Sequence, residues 1–202
     1  MPSFAKKLIL ASRSPRRMEL LRSLGVDFEV KPSKVEEITD PEQSPEQNAT
    51  NIARDKALWV ARQNSGRYVL GADTMVVLGQ EIIGQPKDEE DACRILSKLT
   101  GKQHQVITGV VLITPKAEEY ETAVVSMVSI NSVSENEIRS YVATGEPLDK
   151  AGAYAIQGEG SFLVESWEGS WSNIVGLPLE ALTELFHQAG FPVPKNNEGH
   201  RK

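Results

Sequence analysis

The apolar run LILA at 8–11 leads directly into Ser12, Arg13, Ser14, Pro15, Arg16 and Arg17. Ser14 is a natural N-cap and Pro15 suits the first helical position. Arg16 and Arg17 then fall in a first helical turn, the wrong end for cations. A helix N-terminus already carries about half a positive charge, and a cation there costs about 0.3–1 kcal/mol. Free backbone N–H groups leave the same end. With Arg13 and the hydroxyls of Ser12 and Ser14, the turn is poised for an anion, and phosphate suits it. The plain alternative is that these arginines are solvated and merely extend the surface. There is no Gly-x-x-x-x-Gly-Lys signature, so the turn is not a P-loop.

A second chemistry rests on acids. Asp73 follows YVLGA, which puts a carboxylate in or at the end of an apolar strand. Buried unpaired it would be costly, so it needs a metal ion or a cation, with Thr74 adding a hydroxyl. Glu36 and Glu37, in an acidic loop, offer further oxygens. Oxygen-only sites suit Mg²⁺ or Mn²⁺. The alternatives are a turn aspartate bound to backbone N–H groups and a solvated acidic loop. His104, His187 and His200 have no metal-ligand spacing and read as structural or exposed. Cys93 shows no sign of activation and reads as core packing. Trp59, Trp167 and Trp171 read as packing residues, with the loop position of Trp171 leaving room for stacking on a base.

The elements that must position these groups alternate in type. Residues 7–11 read as a buried strand, 15–24 as an amphipathic helix ending at Gly25, and 26–30 as a strand. An acidic, proline-rich loop follows over 32–47, then a helix over 45–63 with Pro45 in its first turn. Residues 68–78 read as a strong strand interrupted at Gly71, with Gly79-Gln80 turning into 81–83. Asp88 caps a helix over 88–100 that Gly101 ends. Stretches 105–114 and 121–133 read as long antiparallel strands. Ser134 and Glu137 form a capping box for a helix over 134–144. The 147–178 stretch reads as loops and short strands, before a last helix at 178–189. The pattern is α/β with a mixed sheet.

The chain has 202 residues, 40% hydrophobic and 25% charged, which fits one soluble globular domain. We expect a single domain over 1–192 and a mobile tail over 193–202. The net charge of −6 argues against DNA or RNA as partner and requires any small anion to find a local basic pocket. Cys93 is the only cysteine, so no internal disulfide forms, and a reducing cytoplasm fits best. Lys6 and Lys7 before LILA mimic a signal peptide, but Ser12 and Arg13 cut the apolar run short. No stretch approaches the ~20 apolar residues of a membrane span.

Four stretches carry a resemblance to a known family: LASRSPRRMELL at 10–21, GADTMVVLGQEIIGQP at 71–86, LTGKQHQVITGV at 99–110, and DKAGAYAIQGEGSFLVE with NIVGLP at 149–165 and 173–178. Together they resemble the Maf family of nucleoside triphosphate pyrophosphatases. The resemblance implies a largely antiparallel mixed sheet in two lobes around a cleft, similar to the inosine-triphosphate pyrophosphatase group. It implies hydrolysis between the α- and β-phosphates of a nucleotide, with a divalent metal, Mg²⁺ or Mn²⁺. The family's proton acceptor falls on Asp73, its acidic metal-loop residue on Glu37 and its phosphate-contacting lysine on Lys56. Specificity positions of the dTTP and UTP branch fall on Arg13, Thr74 and Gln157. Ser12 and Arg16 join Arg13 as expected substrate-binding residues. The resemblance also suggests a homodimer, without naming an interface.

Two departures stand out. The family usually has Gly-Lys-Pro after the hairpin, whereas this chain reads Gly84-Gln85-Pro86. The usual Asp-Glu of the acidic loop is Glu36-Glu37. Gln85 keeps open a rival reading, a nucleotide-binding regulator of cell division with slow or no hydrolysis. A nucleotidyltransferase is a further rival and would need an acceptor substrate.

Overall fold

A computed structural model describes residues 8–194. His200 and all but the first two residues of the expected tail lie outside the described residues. Strands β1 (Leu8–Leu10), β2 (Phe28–Val30), β3 (Val69–Leu78), β4 (Glu81–Ile83), β5 (Gln103–Ile113), β6 (Glu119–Ile130) and β7 (Val164–Glu168) form one sheet. Its order is β2-β1-β3-β5-β6-β7, with β4 beside β3. β1 runs parallel to β2 and β3, and the remaining pairs are antiparallel. The sheet is therefore mixed and largely antiparallel, as expected.

Among the described residues, six α-helices accompany the sheet: α1 (Pro15–Ser23), α2 (Pro45–Ala61), α3 (Glu89–Leu99), α4 (Glu135–Val142), α5 (Trp171–Val175) and α6 (Leu179–Gln188). Local sequence explains their starts. Ser14, Ser44, Asp88 and Ser134 each accept a hydrogen bond from the backbone N–H three residues on, and Ser134 with Glu137 completes the capping box. Two expectations need correction. The 147–178 stretch contains α5, five residues long and too short to show a helical period, and three short 3₁₀ turns. Gly71 does not interrupt β3, which is continuous through it. A Cβ at Gly71 would lie 2.1 Å from the Ala53 carbonyl oxygen of α2, so the glycine is there for close helix approach.

Strand alternation sorts the core. On one face, Val69, Met75 and Val77 of β3 pack under α2 through Ala53, Ala57 and Ile52. On the other, Leu70 and Ala72 of β3 with Val110 and Leu112 of β5 join α1 and α6 in one apolar body. Further along the same face, Val76 and Val106 join α3 and α4 in a second body. Between the two bodies stand Thr74 and Thr108, directly opposite each other across the β3–β5 ladder. This polar row divides the sheet face into the two expected lobes.

Candidate active site

The cleft follows from a break in pairing along one edge of β3. β1 pairs with β3 at Val69 and Leu70, and β4 pairs with it from Val76 onward. Residues 71–75 keep β5 on one side, and at the other edge Asp73, Thr74 and Met75 line a cleft of about 830 Å³. Successive residues at that edge point to opposite faces, so Asp73 and Thr74 both reach the cleft, from either side of the sheet.

Asp73 points to the α2 face and meets Lys56 there. Lys56 Nζ donates to Asp73 Oδ1 at 2.7 Å, and Glu37 Oε1 lies 2.7 Å from the same nitrogen. Lys56 and Asp73 are buried, whereas the Glu37 side chain is 57% exposed. Burial pushes Asp73 above the usual carboxylate range, and the charges of Lys56 and Arg17 pull against it. Glu36, its neighbour in the loop, is exposed and does not line the cleft.

On the opposite face, Thr74 meets Arg17, which the sequence placed in the basic turn but not among the expected substrate-binding residues. Arg17 is buried, and each of its three guanidinium nitrogens donates one bond: Nε to Gly176 O at 2.8 Å, one terminal nitrogen to Ser12 Oγ at 3.3 Å, and the other to Thr74 Oγ1 at 3.0 Å. Gly176 ends α5 with φ of 121°, a conformation that favours glycine. Burial lowers the Arg17 pKa, opposed by Asp73 and Glu37. Arg13 is exposed at the cleft wall, and Arg16 pairs across it with Asp149 at 3.8 Å. Only spacing was available to the sequence reading, and spacing does not say which of two adjacent arginines turns inward.

The cleft brings together all the expected residues: Ser12, Arg13, Arg16, Glu37, Lys56, Asp73, Thr74 and Gln157. Gln157 is exposed on its far wall, in a segment that includes the buried Tyr154. Gln85 also lines it and donates to Asp149 O at 3.2 Å, while Lys87 lies outside it. His104 is buried and structural, bonded to Tyr154 OH at 2.8 Å. Cys93 packs against the second apolar body. Trp59, on α2 itself, is half-buried against the apolar body beneath that helix, but Trp167 and Trp171 are exposed, 48% and 38%, and do not line the cleft. Among the described residues, no helix is long and apolar enough to cross a membrane.

Six cations line the cleft, Arg13, Arg16, Arg17, Lys34, Lys56 and Lys150, against the acids Glu37, Asp73 and Asp149. The fold and the cleft thus define an α/β protein with a cation-rich cleft, suited to an anion, beside a buried carboxylate–ammonium pair. A family model described as Maf-like protein matches residues 7–189, and the chain belongs to that family.

Among its relatives, a protein of Geobacter sulfurreducens named dTTP/UTP pyrophosphatase is 47% identical over 185 residues, 91% of this chain and 97% of the relative. One of the same name from Dictyoglomus turgidum is 48% identical over 188 residues, 92% of this chain and 97% of the relative. Among solved structures, a HAM1 protein from Coxiella burnetii aligns with TM-score 0.45 and 15% identity, over 61% of this chain and 72% of that one.

Proposed function

We propose that the chain is a nucleoside triphosphate pyrophosphatase that hydrolyses dTTP and UTP to the monophosphate and pyrophosphate. The relatives named above support the substrate class. The observation that carries the chemistry is the buried Lys56 ammonium, 2.7 Å from both Asp73 and Glu37 at the edge of a cation-rich cleft.

The basic wall and the N-terminus of α1 receive the polyphosphate. Arg16 and Arg13 approach its oxygens as charges. Asp73 orients a water and takes its proton. The water oxygen adds at phosphorus, the anhydride bond between the α- and β-phosphates breaks, and pyrophosphate leaves. Lys56 offsets the charge that builds on the phosphoryl oxygens. Gln157 offers a donor and an acceptor to the C4 oxygen and N3–H of a pyrimidine.

A divalent metal suits the donor set. Two carboxylates already converge on one cation, Lys56. Among the described residues no group of three or more His, Cys, Asp or Glu is placed to hold a metal. Asp73 and Glu37 would therefore hold Mg²⁺ or Mn²⁺ with phosphate oxygens and water, the usual manner for such ions. Such an ion supplies charge neutralisation at the phosphate oxygens.

Pyrophosphate release from dTTP and UTP, with Mg²⁺ or Mn²⁺ added, tests the proposal. Asp73→Asn is expected to lower kcat by ~10²–10⁴ while nucleotide still binds, since a general base contributes about that much. Full turnover by Asp73→Asn would remove it from the chemistry. Binding with negligible turnover by the unaltered protein would instead indicate a nucleotide-binding regulator.

A further inference from the structure

We propose that Thr108, buried one strand behind the cleft, is a positioning residue: its hydroxyl orients Thr74, and Thr74 in turn fixes Arg17. The proposal rests on the functional reading above only in that Arg17 and Thr74 line the cleft which that reading gives to the nucleotide.

Thr108 on β5 is fully buried and stands opposite Thr74 on β3. Each threonine hydroxyl has one proton, so the direction of the chain can be worked out. Thr108 Oγ1 lies 3.2 Å from the Asn173 carbonyl oxygen, which can only accept. Thr74 Oγ1 lies 2.9 Å from Thr108 Oγ1 and 3.5 Å from Gly176 O. The shorter arrangement sends the Thr108 proton to Asn173 O and the Thr74 proton to Thr108. The opposite polarity would make Thr74 rely on the 3.5 Å contact, to an oxygen that already accepts from Arg17 Nε at 2.8 Å. With its proton committed inward, Thr74 Oγ1 presents lone pairs outward. It receives the Arg17 terminal nitrogen at 3.0 Å.

The anchor of this chain is itself fixed. Asn173 Nδ2 donates to Val106 O and to Ser126 Oγ, each at 2.9 Å. The carbonyl oxygens of Asn173 and Gly176 therefore hold Thr108 and Arg17 from one short segment, α5 and its cap. Without the Thr108 hydroxyl, the protein acceptor left within reach of the Thr74 proton is Gly176 O, which already accepts from Arg17.

The test compares Thr108→Val, which keeps shape and removes the hydroxyl, with Thr108→Ser, which restores it. In ¹⁵N-labelled protein, the Arg17 Nε–H resonance is assigned by its loss in Arg17→Lys. Thr108→Val is expected to speed hydrogen exchange at that resonance about tenfold and to raise KM for UTP about tenfold, with a smaller change in kcat, the scale of one lost buried hydrogen bond. Thr108→Ser is expected to return both toward the unaltered values. If Thr108→Val does not fold, Thr108→Ala carries the same readouts. A folded hydroxyl-free variant with unaltered Arg17 exchange would overturn the proposal, even if its melting temperature fell. If the unaltered protein released no pyrophosphate from UTP, the functional reading would fail, and the Arg17 resonance would still decide the role of Thr108.

Discussion

Asp73 is held between opposing influences, and its protonation should be visible in rate. Burial raises its pKa, while the Lys56 ammonium, the largest of the opposing causes, lowers it. As the proposed base, Asp73 would act only when ionised, so activity is expected to be lost as pH falls through its pKa. A raised pKa places the acid limb of kcat/KM above the range of an ordinary aspartate. Lys56→Met removes the main opposing charge, so the residual activity of that variant should show an acid limb displaced further toward neutral pH. A pH–rate profile of both proteins checks this, and an unmoved limb would detach Lys56 from Asp73. Asp73 was legible in the sequence because a carboxylate after YVLGA demands a partner. Its partner was not, because Lys56 lies on a helix 17 residues earlier, and periodicity assigns a face without identifying what that face meets.

The elements matter through how closely they approach. α2 carries Lys56 and rests on β3 at Gly71, where any Cβ would strike the Ala53 carbonyl. Gly71→Ala is therefore expected to push α2 outward at a cost of about 1–3 kcal/mol, the usual range for overpacking. Because Ala53 and Lys56 sit one helical turn apart, turnover should fall along with the denaturation midpoint. Urea unfolding together with steady-state rates separates the two effects, and an unchanged midpoint would remove the close-approach account. Strand and helix periods made most elements readable, and cap residues fixed several boundaries. Gly71 was misread because glycine within a strand pattern signals either a break or a close neighbour, and sequence does not distinguish them. α5 escaped because five residues show too little periodicity, although Ser170 is its cap. Both misses bear on the site, since Gly71 seats the helix bearing Lys56 and the cap of α5 holds Arg17.

Over the whole molecule, two electrostatic consequences follow from where charge is buried and where it is open. Burial depresses His104 from 6.5 to about 4. Between those values the unfolded chain binds a proton that the folded chain refuses, so stability is present above pH 6.5 and is lost as pH falls toward 4. The full effect is about 3 kcal/mol. Thermal melts from pH 7 downward should show a decline over that window, and His104→Gln should flatten it. The second consequence concerns the cleft. A protein of net charge −6 repels a triphosphate at long range, and the cations lining the cleft must reverse that field locally. Arg13 and Lys34 are exposed, whereas Arg17 and Lys56 are buried. Salt shortens the Debye length from about 10 Å at 0.1 M to about 3 Å at 1 M, which weakens the exposed charges far more than the buried ones. KM for UTP should therefore climb several-fold as KCl rises from about 0.05 to 0.5 M, with kcat nearly constant. The double variant Arg13→Ala/Lys34→Ala should begin with a higher KM and show a shallower salt dependence, because the screened part of the attraction has been removed. An equal slope in the two proteins would assign the screened attraction to the cleft cations that remain, Arg16, Arg17, Lys56 and Lys150, and Arg13 and Lys34 would have no part in drawing the substrate in.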